Sequence, residues 1–272
     1  MWHDIFASLM TERAPDGFEV RSEVKLAPRS ARVDLLLLRR IEAAAGDEGV
    51  AAAVDAPRRP PILRGLWPQL PLVSIVEYKS PARGIRRGDL LRLVEYGARY
   101  MAGSRQHLPK PSDLGLVLIA PRPSEGLQHD LDYLGWRLGR FSNGYATIEN
   151  SWYTVFVGFT DEISEAEHDD FLRIFSNAPL KTHDVANWLR YWMTERHDMR
   201  EIRHREGFDT ISDKFFEMFT PAERLSGLAP EQMVSALPVQ LLRALSDEYI
   251  TSLPDEVQRE VRARLAAADA ER

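Results

Sequence analysis

The chain reads as a mixed α/β protein with a helical C-terminal region, and three observations predict it. Residues 31–38, 71–80 and 114–120 contain apolar runs of strand length, the pattern of strands buried on both faces. Residues 18–26 alternate, with Phe18, Val20, Ser22, Val24 and Leu26 on one side. Beyond Thr160 the apolar residues recur at helical spacing. The expected core order is helix, three strands, helix, strand.

The first helix is predicted over 1–11, where Trp2, Ile5, Phe6, Leu9 and Met10 share a face and Pro15-Asp16-Gly17 makes a turn. Pro28-Arg29-Ser30 turns the alternating strand into the strand that contains Asp34. Residues 41–70 read as a surface insertion, Ala/Gly-rich at 43–53 and Pro/Arg-rich at 55–65. Arg58, Arg59 and Arg64 belong to this segment, read as solvated linker rather than substrate contacts. A helix over about 88–102 follows the 71–80 strand, with Leu90, Leu91, Val94, Ala98 and Met101 in one stripe. The 114–120 strand after it implies a crossover and a parallel pair. Residues 121–151 read as loop and 152–158 as a further strand. Segments 164–175 and 182–206 read as helical; His197 and His204, seven residues apart there, lack a third ligand at metal spacing. The expected divisions are 1–160, 161–207 and 208–272.

Chemistry concentrates in two of the strands. Period-two geometry puts Val73, Ile75, Glu77 and Lys79 on one face, so a carboxylate and an ammonium end an otherwise apolar strand. Unpaired buried charge is costly, which predicts that the two meet a cleft, a metal, a substrate or each other. Asp34 interrupts the apolar run 31–38 in the same way, and adjacent strands would let Asp34 and Glu77 share a hard divalent cation through oxygen. Only five of the 35 basic residues are Lys, and one of them is Lys79. Arg83, Arg86, Arg87, Arg92, Arg99 and Arg105 follow, against Asp89 and Glu95. A basic patch beside an acidic metal site suits a phosphodiester, and a solvated, Arg-rich helix face accounts for the same residues equally well.

Val33-Asp34 followed by Ile75-Val76-Glu77-Tyr78-Lys79-Ser80 resembles the bipartite motif of the PD-(D/E)XK nuclease superfamily, most closely its recombination-promoting nuclease and transposase-like group in bacteria. The resemblance spans about residues 1–160 and implies a restriction-endonuclease-like αβββαβ core around a mixed sheet. It implies a metal-dependent endonuclease that hydrolyses DNA phosphodiester bonds, linked to recombination or transposition. Asp34, Glu77 and the Tyr78 carbonyl would hold Mg²⁺ or Mn²⁺, with Lys79 orienting the attacking water. Arg83, Arg86 and Arg87 would bind substrate. Related nucleases carry a Gln four residues before a Tyr on the following helix; Tyr96 fits, but Arg92 stands at the Gln position. Arg92 and Tyr96 are therefore accessory candidates; Glu23, on the polar face of the 18–26 strand, could be a further metal ligand, though an exposed strand face explains it equally well. The competing expectation is a lapsed nuclease fold that acts as a binding or regulatory module through its tail.

That tail repeats every eight or nine residues, in units headed by Phe219, Leu228, Leu237, Leu245 and Leu253, each with a Pro or Ser and then acids. Very short helices are expected, packed on the first domain, on a protein partner or in a homodimer. Similar Leu-x-Pro-Glu repeats occur in the same nuclease group. The chain has no cysteine, which excludes disulfides and thiolate metal sites, and no apolar run reaches the length of a membrane span. A cytoplasmic, membrane-free protein is expected. Nucleophile-elbow, phosphate-loop, dinucleotide and zinc-protease motifs are missing from the sequence.

Overall fold

The computed structural model describes residues 1–26, 32–40, 60–103, 110–195, 204–219, 234, 237, 242 and 245–270. Helix α1 (Trp2–Glu12) buries Trp2, Ile5, Phe6, Leu9 and Met10, the stripe its spacing predicts. Strands β1 (Phe18–Lys25), β2 (Arg32–Arg39) and β3 (Val73–Tyr78) form an antiparallel series. Helix α2 (Asp89–Gly103) then crosses to β4 (Leu114–Ala120), which pairs parallel with β3. After α3 (Glu125–Leu134) come the hairpin β5 (Arg137–Ser142) and β6 (Tyr145–Glu149), then β7 (Thr154–Phe159), parallel to β4. Among the described residues these strands make one mixed sheet in the order β1-β2-β3-β4-β7-β6-β5.

Both faces of the sheet are covered, which is why β3 and β4 are buried along their whole length. Val76 and Tyr78 of β3 pack with α1, while Val73 and Ile75 pack with Leu90 and Leu93 of α2. The period of two thus splits the strand as its sequence predicts. Burial of a side chain such as Ile75 contributes roughly 1.5–3 kcal/mol. Helix α4 (Thr160–Ala166), a 3₁₀ turn (Leu172–Phe175), α5 (His183–Glu195) and α6 (Phe208–Glu217) complete this part of the chain. Helix α5 docks on α1 through Trp192 Nε1, which donates to Ser8 Oγ at 3.0 Å, and Trp188 Nε1, which donates to Glu12 at 2.8 Å.

Four sequence expectations need correction. Residues 60–70 are core rather than insertion: Ile62, Leu63, Leu66, Trp67 and Leu70 are buried on the α1 side, at spacings of one, three, one and three. Arg64 is tied to Glu167, whose carboxylate accepts its backbone N–H at 3.0 Å. The remainder of that segment, with Arg58 and Arg59, lies outside the described residues, as do Arg105 and His197. Residues 121–151 are not loop, since they hold α3 and the β5–β6 hairpin. Ser124 caps α3 by accepting the Leu127 N–H, and Gly135 closes it in the left-handed conformation. The segment 164–175 is not one helix; α4 stops at Ala166 and a 3₁₀ turn follows. Finally, the alternating face of β1 is split: Phe18 and Val20 pack on the α1 side, but Val24 and Leu26 pack on the α2 side. The change falls at Glu23, which has a φ of 50°.

The chain divides into two compact units, Met1–Met218 and Phe219–Arg272. In the second unit α7 (Asp247–Ser252) and α8 (Asp255–Ala270) are described. Val234, Leu242, Ile250, Leu253 and Val261 form its core, with Leu237, Leu245, Val257 and Leu265 against it. The described repeat hydrophobes therefore pack on one another. Helix α8 has 16 residues, so the last repeat does not end as a very short helix. The units headed by Phe219 and Leu228 lie largely outside the described residues. No helix among the described residues is long and apolar enough to cross a membrane.

Candidate functional site

The candidate site forms where β2 and β3 stop behaving as a regular ladder. Leu35 pairs with Val76, so one step further the register sets Asp34 opposite Glu77. Asp34 Oδ2 instead accepts the backbone N–H of Tyr78 at 2.8 Å, a side chain standing in for a strand partner. The ladder on the other side of β2 is interrupted at the same level. Ser22 pairs with Leu35 and Val24 with Val33, and Glu23 lies between them at positive φ. Asp34 thus marks an irregularity in both ladders, a common way for a sheet to aim a side chain into a site.

Lys79 follows immediately after β3, and two residues of extended chain return it to the Glu77 face. Its Nζ lies 2.8 Å from Glu77 Oε1 and 3.0 Å from Asp89 Oδ1 at the start of α2. Glu77 is only 8% exposed. Burial, and then the Asp34 charge, raise its pKa above the ordinary glutamate value in spite of Lys79. Burial works against the Lys79 ammonium, but Glu77 and Asp89 outweigh it and hold its pKa above the usual lysine value. His3 of α1 reaches the same place, with Nδ1 3.1 Å from Asp34 Oδ1. That hydrogen bond is the main reason its pKa is raised.

His3, Asp34, Glu77, Tyr78 and Lys79 line a cleft of about 180 Å³ that also receives Arg83, Arg92 and Tyr96, with Asp89 behind Lys79 and outside the lining. Asp34, Glu77, Tyr78, Lys79, Arg83, Arg92 and Tyr96, all expected from sequence, are thereby brought together. Burial and the charge of Glu77 raise the Tyr96 phenol. Tyr78 contributes backbone, and the contact seen is its N–H to Asp34. Its ring stacks on Phe6 with centroids 4.5 Å apart, and its hydroxyl is buried without a hydrogen-bond partner among the described residues. Glu23 lines a neighbouring groove of about 880 Å³, which meets the cleft at His3 and Asp34. Arg86 and Arg87 are exposed on the turn before α2 and are not part of the cleft lining.

The chain matches no protein-family model, no curated protein and no solved structure. The side chains themselves are therefore what bears on chemistry. Among the described residues no group of three or more His, Asp or Glu is arranged to hold a metal ion. The carboxylates facing the cleft are two, Asp34 and Glu77, supplemented by protein contacts from Tyr78, His3 and Lys79. Two carboxylates are the usual protein share for Mg²⁺, which keeps several waters, so this hard-oxygen donor set fits that ion in type and number. It offers too little for a cation that needs an all-protein cage.

Sequence reading missed His3 and Asp89. An acid in the first turn of a helix is ordinary because it complements the helix dipole, so Asp89 carried no separate signal. His3 stands between Trp2 and Ile5 of an apolar stripe that accounts for α1 by itself. Only the packing of α1 across β2 and β3 brings its imidazole to Asp34.

Proposed function

We propose that the cleft hydrolyses DNA phosphodiester bonds with the help of Mg²⁺ or Mn²⁺, in a restriction-endonuclease-like core. The observation that carries this reading is the meeting of Asp34, Glu77 and Lys79, from separate parts of the sequence, at one cleft with arginines on its rim. The element order α1-β1-β2-β3-α2-β4, with an antiparallel series followed by a parallel crossover, supports the same core.

Asp34 and Glu77 are the residues that would hold the ion, and the bound ion would supply an acidified water and a polarised phosphate. Lys79, kept protonated by its acidic neighbours, orients the water and offsets negative charge that develops on the phosphate oxygens. Arg83 and Arg92 hold the phosphate from the rim as fork-shaped donors. A role in recombination or transposition belongs to this proposal.

The opposing reading is a lapsed nuclease fold that serves as a binding or regulatory module through its helical repeat tail, without cutting. It is favoured by one observation: Glu77 is paired with Lys79, and Asp34 with Tyr78 N–H and His3, so the carboxylates are already engaged. Incubating the full chain with supercoiled plasmid and single-stranded DNA, with and without Mg²⁺ or Mn²⁺, separates the two. Nicking that requires the ion and is abolished in Asp34→Asn, Glu77→Gln and Lys79→Ala supports hydrolysis. Retention of DNA with no cutting under any ion supports the binding module.

A further inference from the structure

Resting on that reading, we propose that Asp89 is a positioning residue that holds Lys79, and with it Arg92, at the cleft. Asp89 opens α2 and is 7% exposed. Its two oxygens do different work. Oδ2 accepts the backbone N–H of Arg86 at 2.8 Å and so locks the carboxylate to its own turn. Oδ1 meets two cations of the cleft wall, 3.0 Å from Lys79 Nζ and 3.7 Å from an Arg92 nitrogen. A carboxylate fixed by one oxygen cannot swing away to follow a moving ammonium. Asp89 therefore sets where the Lys79 charge sits.

The turn is itself held from outside the site. Asp130 of α3, 1% exposed, accepts the N–H groups of Gly88 at 2.8 Å and of Leu90 at 3.2 Å, supplying the start of α2 with acceptors from another helix. Ser124 Oγ donates to the Ile85 carbonyl at 2.8 Å. A Cβ at Gly126 would lie 2.6 Å from that same carbonyl oxygen, so α3 approaches the turn as closely as backbone allows. The chain of support runs from α3 through the 85–90 turn to Asp89 and then to Lys79. A helix-dipole role alone would leave an acid at this position exposed, whereas Asp89 is buried and directed at two cations.

The arrangement has a chemical purpose in the proposed reaction. Glu77 would hold the ion and also accepts from Lys79 through Oε1. Asp89 is the second acceptor that keeps Lys79 in place while Glu77 serves the ion. Preorganisation of this kind fixes the geometry before the substrate arrives.

The test uses the full chain and two readouts. Asp89→Asn keeps an oxygen for the Arg86 N–H but removes the charge opposite Lys79. Brief acetylation with acetic anhydride, read by mass spectrometry, should label Lys79 several-fold more in Asp89→Asn than in the parent, with Lys110 and Lys181 as unchanged references. DNA cleavage should lose about tenfold or more in kcat, with KM within about twofold of the parent. Asp89→Glu retains the charge and should fall between parent and Asn in both readouts; it also decides the question if the Asn variant fails to fold. Unchanged Lys79 labelling in a folded variant overturns the proposal, as does a parent-like kcat in a variant whose Lys79 labelling has risen. A parent that cuts no DNA overturns the hydrolysis reading alone, and the labelling ratio then decides for or against Asp89.

Discussion

Arg13 and Asp169 are each 5% exposed and meet as a two-pronged pair, at 3.2 and 2.9 Å, whereas Lys79 divides its ammonium between Glu77 and Asp89 beside an open cleft. The Arg13 cluster has its donors and acceptors placed with little to spare. Arg13 Nε donates to the Pro60 carbonyl, its guanidinium lies over the Phe171 ring, and Asp169 also accepts the Phe171 N–H. One plus meets one minus, and the surrounding groups complete the shell. In the cleft, by contrast, Asp34 raises the pKa of Glu77 even though Lys79 is adjacent. The Arg13 pair also borders a hollow, of about 540 Å³, so open volume is not what separates the two clusters; what does is that burial and then the Asp34 charge hold the Glu77 pKa up in spite of Lys79.

The comparison is sharpest where one member of each cluster is removed. Arg13→Met leaves Asp169 buried without its partner and should cost about 3–5 kcal/mol in urea denaturation. Cleavage per folded molecule should not change; a loss of kcat in folded Arg13→Met would erase the distinction between the clusters. Lys79→Met should act on both, slowing cleavage per folded molecule by about a hundredfold or more and lowering the thermal midpoint, because Glu77 and Asp89 stay buried without their shared cation.

Glu77→Gln should raise stability at neutral pH while removing activity. The sign follows from the raised pKa. The folded chain binds the Glu77 proton more tightly than the unfolded chain does, so ionised Glu77 costs stability. That cost is absent below the ordinary glutamate pKa and enters as pH rises through the folded value. Denaturation of parent and variant should therefore coincide near pH 4 and separate as pH rises. A variant no more stable than the parent at pH 8 would mean that Glu77 is as well matched as Asp169. The smallest effect belongs to the rim: Arg83, whose pair with Glu206 is exposed on both sides, should lose less than about 0.5 kcal/mol on change to Ala. Its cleavage KM should rise a few-fold, measured on plasmid at low salt, with kcat retained.

Much of the core was legible because period and burial agree there. β3 and β4 carry apolar side chains toward two covered faces, and α1 and α2 carry unbroken stripes. The elements missed were signalled by small features rather than by periodicity. Asn143-Gly144 between Ser142 and Tyr145 is a two-residue hairpin turn, with Gly144 at φ 77°. Ser124, Leu127, Leu131 and Gly135 carry the cap, spacing and stop of α3. Ile62 to Leu70 were masked by the Pro and Arg residues around them. Asp34, Glu77 and Lys79 stood out because charge is rare inside apolar runs. His3 and Asp89 did not, since each sits where a polar residue is ordinary and only tertiary packing directs it at the cleft. The change of side at Glu23 depends on one backbone torsion, to which alternation is blind.

The Asp34–Tyr78 hydrogen bond joins positions 44 residues apart, and His3 is further still from its neighbours on β3. Lys79 and Asp89, on the other hand, are separated by only one turn of chain and the entry to α2. Folding should assemble the cleft in two stages, because local contacts close with less entropic cost than distant ones. The Lys79–Asp89 contact can close locally at the entry to α2, whereas the Asp34–Tyr78 contact waits for β2 to pair with β3 and the His3–Asp34 contact for the N-terminal helix to dock. A chain that has made only the local contact would thus hold an ordered cation beside an incomplete cleft, and the last layer to dock is the one that finishes it.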